Sequence, residues 1–452
     1  MAKRLFGTDG IRGVAGERPL DRQTVHAFGA ALGEMARHLD ADPAVVIGMD
    51  TRESGPWLAE EVAGGLAESG VKVRFAGVIT TPGVAYLSRT LPFVAGVMIS
   101  ASHNPYRDNG LKVLSHTGYK LPDEQEHELE QAIFARLEGG VKPGGVPLAV
   151  EVGLDQAYTG YLASTLSQSL EGLTLVVDCA NGAASHLAPE LFKQLGARVY
   201  AIGCSPTGRN INHACGSLHV DLLRQTVLAE SADLGVAFDG DADRAIFVSR
   251  SGKIVDGDGV LLVASRHLLV RERLGDPNAK PSVVATVMSN LGLERALAKV
   301  GIDLVRAPVG DKYVLEEMLR RGARLGGEQS GHVIFHDYAT TGDGLLTAVR
   351  VLEIMRESGQ GLDDLTAGLK IYPQRLLNVA VRERKPLDEL PEVAAEIQAA
   401  TEAFGDAGRV LVRFSGTEPL ARVMVEGPEM AQVDEFATRI AGAIQRALGA
   451  HG

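Results

Sequence analysis

Residues Val45 to Gly77, VVIGMDTRESGPWLAEEVAGGLAESGVKVRFAG, read as an apolar strand, a polar loop, an amphipathic helix, a glycine and a second apolar strand. Two later stretches repeat that order: LTLVVDCANGAASHLAPELFKQLGARVYAIG from Leu173 to Gly203, and SVVATVMSNLGLERALAKVGIDLVRAPVG from Ser282 to Gly310. In each, a glycine (Gly70, Gly196, Gly301) stands where a helix needs a left-handed residue at its C-terminal end. Strand, helix and strand within about 30 residues make a βαβ unit, whose right-handed crossover lays the two strands parallel in one sheet. The sequence therefore predicts three α/β domains of related build.

After Tyr372-Pro373 the pattern changes. A strand from Leu377 to Val381, a helix from Leu390 to Ala403, strands from Arg409 to Phe414 and Ala421 to Val425, and a helix from Ala431 to Leu448 predict a smaller α+β domain. The breaks fall at the glycine- and proline-rich run Glu138 to Pro147 and at the polar turn Gly252 to Gly257, giving expected domains of 1–150, 151–256, 257–371 and 372–452.

Composition agrees with such a chain. Its 452 residues exceed what one core supports, and 45% hydrophobic with 23% charged residues is the profile of a soluble α/β protein. No run of about eighteen apolar residues occurs and the N-terminus turns polar at once, so the expected location is cytoplasmic. A formal charge of -12 disfavours nucleic-acid and anionic-membrane partners, and an anionic ligand would need a locally basic site. Cys179, Cys204 and Cys215 have neither disulfide nor zinc spacing and read as reduced thiols.

Four loops carry chemistry. The apolar run Phe93 to Ile99 discharges into SASHNP, Ser100 to Pro105, where a serine could simply cap a helix. DGDADR, Asp239 to Arg244, sets three carboxylates at alternate positions between two apolar strands. That arrangement suits a hard divalent cation such as magnesium, with a solvated acidic hairpin as the plain alternative. An EF-hand is excluded, because its glycine and glutamate positions hold Arg244 and Arg250. In GGEQSGH, Gly326 to His332, Glu328 and Ser330 can face one side and bind vicinal hydroxyls, while His332 can equally be structural. RFSGTEP, Arg413 to Pro419, with Arg422 beyond it, can form a phosphate pocket or a plain hairpin turn. Arg12 in GTDGIRG, Arg52 and Lys112 place further cations in loops of the first domain.

Taken in order, SASHNP, DGDADR, GGEQSGH and RFSGTEP resemble the α-D-phosphohexomutase family over essentially the whole chain. FGTDGIRG and Gln329 look like its bacterial glucosamine-phosphate branch, with the phosphomannomutase/phosphoglucomutase branch as the alternative. The resemblance implies three α/β domains and a fourth around a central cleft. It implies phosphorylated Ser102 as the nucleophile, Mg2+ held by Asp239, Asp241, Asp243 and an oxygen at Ser102, and Lys112 and His332 as candidate base and acid. Arg12 and His103 join them at the catalytic centre. Glu328 and Ser330 would contact the sugar, and Arg413, Ser415, Gly416, Thr417 and Arg422 the phosphate that is not transferred. Glucosamine 6-phosphate and glucosamine 1-phosphate would interconvert through glucosamine 1,6-bisphosphate, which is also the primer. By the same resemblance the product would feed UDP-N-acetylglucosamine and the cell wall. The expected partner is a small hexosamine phosphate, and a homodimer is one option for the assembly. Three aspartates, a divalent cation and a phosphoserine of about -1.5 to -2 leave the pocket negative, so Arg12, Arg52, Lys112 and Arg244 are expected to compensate. Two other readings remain. One is a metal-dependent phosphatase in which Asp239 is the nucleophile and Ser102 a cap; the other is a sugar-phosphate-binding protein without catalysis.

Overall fold

The computed structural model describes residues 5–7, 9–275, 281–415 and 419–449. Each of the three repeats forms its βαβ unit. Strand Ala44–Met49, helix Gly55–Glu68 and strand Lys72–Val78 make the first; Thr174–Asp178, Leu187–Gln194 and Arg198–Ile202 the second; Ser282–Thr286, Leu291–Ala298 and Asp303–Ala307 the third. The two strands of each unit pair in parallel. The closing glycines adopt φ of 72° at Gly70, 100° at Gly196 and 76° at Gly301, a region that a side chain would strain.

Each unit sits in a mixed sheet of one plan. Its first strand gains a second parallel neighbour (Ala95–Ile99, Leu234–Phe238 or Leu325–Gly327), and that neighbour pairs antiparallel with the next strand (Asp108–Ser115, Ala245–Ser249 or Val333–Phe335). Strands Ala95–Ile99, Leu234–Phe238 and Ala245–Ser249 are buried at every position, as sheets covered on both faces require. In the first domain, helix Arg22–Leu39 packs on helix Gly55–Glu68 through Gly29, where a Cβ would lie 2.3 Å from the Val62 carbonyl oxygen.

The chain groups into two compact units, Met1–Met288 with Ile302–Ala367, and Ser289–Gly301 with Gly368–Gly452. The second holds an antiparallel sheet of strands Gln374–Ala380, Leu420–Glu426 and Arg409–Phe414, covered by helices Pro391–Phe404 and Met430–Leu448. It also takes in the crossover helix of the third repeat. Asn290 and Tyr372 exchange two hydrogen bonds of 2.9 Å, and buried Glu426 accepts from the Leu291 amide at 2.8 Å while pairing with Arg409. The helix of the third repeat is thus held by residues more than seventy positions downstream.

Candidate active site

Strand Ala95–Ile99 ends at Ser100, and no helix follows. The chain turns through Asn104 and Pro105 into strand Asp108–Ser115, so Ser102 caps nothing. Ser102 is buried and held at φ 50°, a conformation that costs a β-carbon residue on the order of 1–3 kcal/mol and persists only where its surroundings impose it. Those surroundings are specific. Its amide donates to Ser100 Oγ at 2.9 Å, and Ser100 Oγ donates to Asp50 Oδ2 at 2.7 Å. Its carbonyl oxygen accepts from Arg52 and from Asn212 Nδ2, both at 2.9 Å.

Arg52 was expected to compensate charge in the pocket, and the structure corrects that expectation. Its side chain is fully buried, its Nε pairs with Asp50 at 2.9 Å, and its remaining nitrogens donate to the carbonyls of Ser102, Asn104 and Pro105. Asp50, two residues earlier, fixes the guanidinium beneath the loop, so Arg52 shapes the backbone of that loop.

The other face of Ser102 meets the acidic turn. Strands Leu234–Phe238 and Ala245–Ser249 pair with Phe238 opposite Ala245, so Asp239 to Arg244 form the connecting turn. Ser102 Oγ donates to Asp239 Oδ2 at 2.6 Å. The three aspartates are 0%, 0% and 6% exposed, which rules out a solvated hairpin. Their ligand atoms lie within 4.8 Å of one another, and Asp241 Oδ1 and Asp243 Oδ1 are buried without a hydrogen-bond partner. Buried carboxylate oxygens left unpaired are costly, and a hard cation is the group that satisfies them. Burial, then the charges of Asp243 and Asp241, push the Asp239 carboxyl well above its usual range.

Cations ring this cluster. Lys112 is buried, with Nζ 2.7 Å from Asp241, 3.0 Å from Asp9 and 3.9 Å from Asp243. Burial disfavours its charge, but Asp241, Asp9 and Asp243 outweigh that and raise its pKa, which holds the ammonium protonated. Arg12 pairs with Asp9 and Arg244 approaches Asp243 at 3.8 Å, and each keeps a buried Nε without a hydrogen-bond partner. His103 Nδ1 lies 3.2 Å from Ser102 Oγ; burial, with Arg244 and Arg12 nearby, pulls its pKa down to about 4, so the ring is neutral near pH 7.

The GEQSGH turn joins them because Gly331, at φ 94°, lets its carbonyl accept from the Ala245 amide at 3.1 Å; a Cβ there would lie 2.4 Å from the Ala245 oxygen. Ser330 Oγ donates to Glu328 Oε2 at 3.3 Å, so the two share one side as the spacing predicts. His332 is engaged at both nitrogens: Nε2 accepts the Gly342 amide at 3.0 Å, and Nδ1 faces Asp243 at 3.6 Å. Neither nitrogen is free for a substrate in this arrangement, and the ring orients Asp243. The Gln329 side chain bonds to Asp256.

The fourth motif lies in the second unit. Arg413 and Arg422 stand directly opposite each other across the strand pair, where like charges repel unless an anion joins them. Burial and Arg422 lower the Arg413 pKa. Ser415 is buried and its amide donates to the Leu420 carbonyl at 2.8 Å; Gly416 and Thr417 lie outside the described residues. Sequence reasoning missed Asp9, Asp50, Thr81, Lys120, Asn212 and Asp311. Thr81, the first residue of helix Thr81–Thr90, donates its hydroxyl to Asp241 Oδ2.

Residues 3–139, 156–252 and 256–372 match alpha/beta/alpha domains I, II and III of phosphoglucomutase/phosphomannomutase, and 376–443 match its C-terminal domain. A Solibacter usitatus protein named phosphoglucosamine mutase is 63% identical over 99% of this chain and 100% of its own; one of the same name from Koribacter versatilis is 50% identical over 99% and 98%. A phosphoglucomutase/phosphomannomutase family structure from Burkholderia thailandensis superposes with TM-score 0.79 at 26% identity, covering 97% of each chain. The Aspergillus fumigatus N-acetylphosphoglucosamine mutase in complex with GlcNAc-6P and magnesium, at TM-score 0.67 and 19% identity over 98% and 96%, shares the fold. With all four domains matched in order and relatives alike along the full chain, this protein belongs to the phosphoglucomutase/phosphomannomutase family.

Proposed function

We propose that the protein interconverts glucosamine 6-phosphate and glucosamine 1-phosphate through phosphoserine 102 and glucosamine 1,6-bisphosphate. The observation that carries the chemistry is Ser102 Oγ, 2.6 Å from Asp239 within a buried carboxylate triad. The names of the full-length relatives support the sugar. Asp239, Asp241 and Asp243 suit Mg2+, which when bound draws charge from the phosphoryl oxygens. The hydroxyl on C1 of glucosamine 6-phosphate gives up its proton as it attacks phosphorus, its O–P bond forms as the Ser102 Oγ–P bond breaks, Oγ takes up a proton, and the bisphosphate results. The second half runs backwards from the other end: Oγ takes the phosphoryl group on O6 and the 1-phosphate leaves.

Protonated Lys112 and the spare Nε donors of Arg12 and Arg244 offset charge on the moving group. Neutral His103, with Nδ1 3.2 Å from Ser102 Oγ, is placed to exchange the proton that Oγ gains and loses. Glu328 and Ser330 take sugar hydroxyls. Arg413, Ser415 and Arg422, with Gly416 and Thr417, take the phosphate left in place. Among the described residues no helix is long and apolar enough to cross a membrane, and a cytoplasmic enzyme with a hexosamine phosphate as its partner fits that and the charge of -12.

Turnover of glucosamine, glucose and mannose 6-phosphates with magnesium and the matching 1,6-bisphosphate tests the reading. Glucosamine 6-phosphate is expected to have the highest kcat/KM. Preference for glucose or mannose phosphate overturns the sugar assignment, and phosphate release without 1-phosphate supports the phosphatase instead.

A further inference from the structure

The active-site cluster sets five carboxylates (Asp9, Asp239, Asp241, Asp243, Asp311) among four cations (Arg12, Lys112, Lys120, Arg244), and the function above leaves Lys120 without a task. Its Nζ donates to Asp9 Oδ1 and to Asp311 Oδ2, and its side chain is 17% exposed. Asp9 uses its other oxygen for Lys112, at 3.0 Å, and for Arg12. Asp311 lies 3.8 Å from His332 Nε2 and begins helix Asp311–Arg321, next to Gly310, whose amide donates to Glu328 Oε1 at 3.2 Å. One ammonium thus ties the carboxylate that carries Lys112 and Arg12 to the carboxylate beside His332 and Glu328. The two carboxylates come from segments about three hundred residues apart in the chain, with like charges facing the same small volume; without a cation between them they repel.

Lys120 does not carry the docking of its segment alone. Tyr119 Oη and His336 Nε2 are 2.9 Å apart, Thr340 Oγ1 donates to the Gly118 carbonyl at 2.7 Å, and Lys312 Nζ donates to Asp123 at 2.6 Å. The segment therefore stays in place when the ammonium is removed, and what changes is where Asp9 and Asp311 point.

We propose that Lys120 is a positioning residue for phosphoryl transfer, fixing Lys112 and Arg12 through Asp9 and the His332 and Glu328 side of the pocket through Asp311. The inference rests on the mutase reading above. Lys120 touches no reacting atom, so its loss appears in the rate of transfer; a misplacement near 1 Å costs about a hundredfold.

The test compares Lys120→Met, Lys120→Arg, Asp311→Asn and the double variant Lys120→Met/Asp311→Asn with wild type, by kcat, KM and thermal midpoint. Lys120→Met is expected to lose about 10- to 100-fold in kcat with KM changed by less than about threefold. Lys120→Arg recovers part of the loss. The double variant is no slower than Lys120→Met, because removing the Asp311 charge relieves the repulsion that the first substitution exposes. Lys120→Met with wild-type kcat, a loss confined to KM, or a double variant slower than Lys120→Met overturns the inference. Wild-type protein inactive on all three hexose 6-phosphates overturns the mutase reading itself, so the two failures are told apart by the parent enzyme.

Discussion

The first and second repeats end their leading strands in the same way and put that ending to different use. Asp50 Oδ1 accepts the amide of Arg52, two residues on, and Asp178 Oδ1 accepts the amide of Ala180, also two residues on, each at 2.9 Å. Both carboxyls are pushed above their usual range by burial, against Arg52 and Ser100 in one case and the Gly216 and Ala180 amides in the other. Their second oxygens differ. Asp50 Oδ2 takes the charged Arg52 Nε and Ser100 Oγ; Asp178 Oδ2 takes only the Gly216 amide, at 2.8 Å. Through these partners the first repeat supplies Arg52, and the second the loop with Asn212, to the same Ser102 carbonyl. The repeat provides a scaffold, and the copies differ in what reaches the strand-end carboxylate: the side chains of Arg52 and Ser100 in the first, backbone amides in the second.

Substitutions separate the two copies. Arg52→Met leaves Asp50 buried without its counter-charge, so it is expected to cost about 3–5 kcal/mol in denaturant unfolding and about a hundredfold in kcat. Wild-type kcat in folded Arg52→Met contradicts the role assigned to the first copy. Next comes Gly240→Ala, because a Cβ there would lie 2.5 Å from the Ser102 carbonyl oxygen. A forced shift of that kind costs about 1–3 kcal/mol, and turnover is expected to fall with it.

Asp178→Asn has only two amide partners to lose, and about 1–2 kcal/mol is expected. Its pH dependence has a definite sign. A carboxyl whose folded pKa is raised binds its proton more tightly in the folded state, so wild-type stability falls as pH rises from the unfolded value toward the folded one. The substituted amide does not titrate, so the gap in urea midpoint between wild type and variant should be larger at about pH 4.5 than at about pH 7.5; a gap that widens with pH contradicts the assignment. Smallest is Asn212→Ala, expected near 1 kcal/mol because Arg52 still holds the Ser102 carbonyl. A loss as large as that of Arg52→Met would make the two copies equal partners.

The repeats were legible because apolar runs and closing glycines recur at fixed order, and the acidic turn because carboxylates at alternate positions between buried strands have few uses. Geometry across long separations was not. Lys120 is 111 residues from Asp9 and 191 from Asp311 along the chain, and all three are charged residues of a kind usually left in water. Arg52 was seen as a cation, but its partner Asp50 was not, and that carboxylate turns it from the pocket to the backbone. Edges slipped where exposed residues continue a ladder, as at Gln374 to Leu376, which pair with Glu426 to Met424 without apolar alternation. The displaced allegiance of helix Leu291–Ala298 depends on buried Glu426, which no local pattern announces.

Intact mass of the wild-type protein and of Ser102→Ala, each incubated with glucose 1,6-bisphosphate and magnesium and then desalted, tests the central claim most directly. The account predicts one phosphoryl group on the wild type, lost when a hexose 6-phosphate is added, and none on Ser102→Ala. A phosphoryl group retained by Ser102→Ala, or found on Asp239, contradicts it.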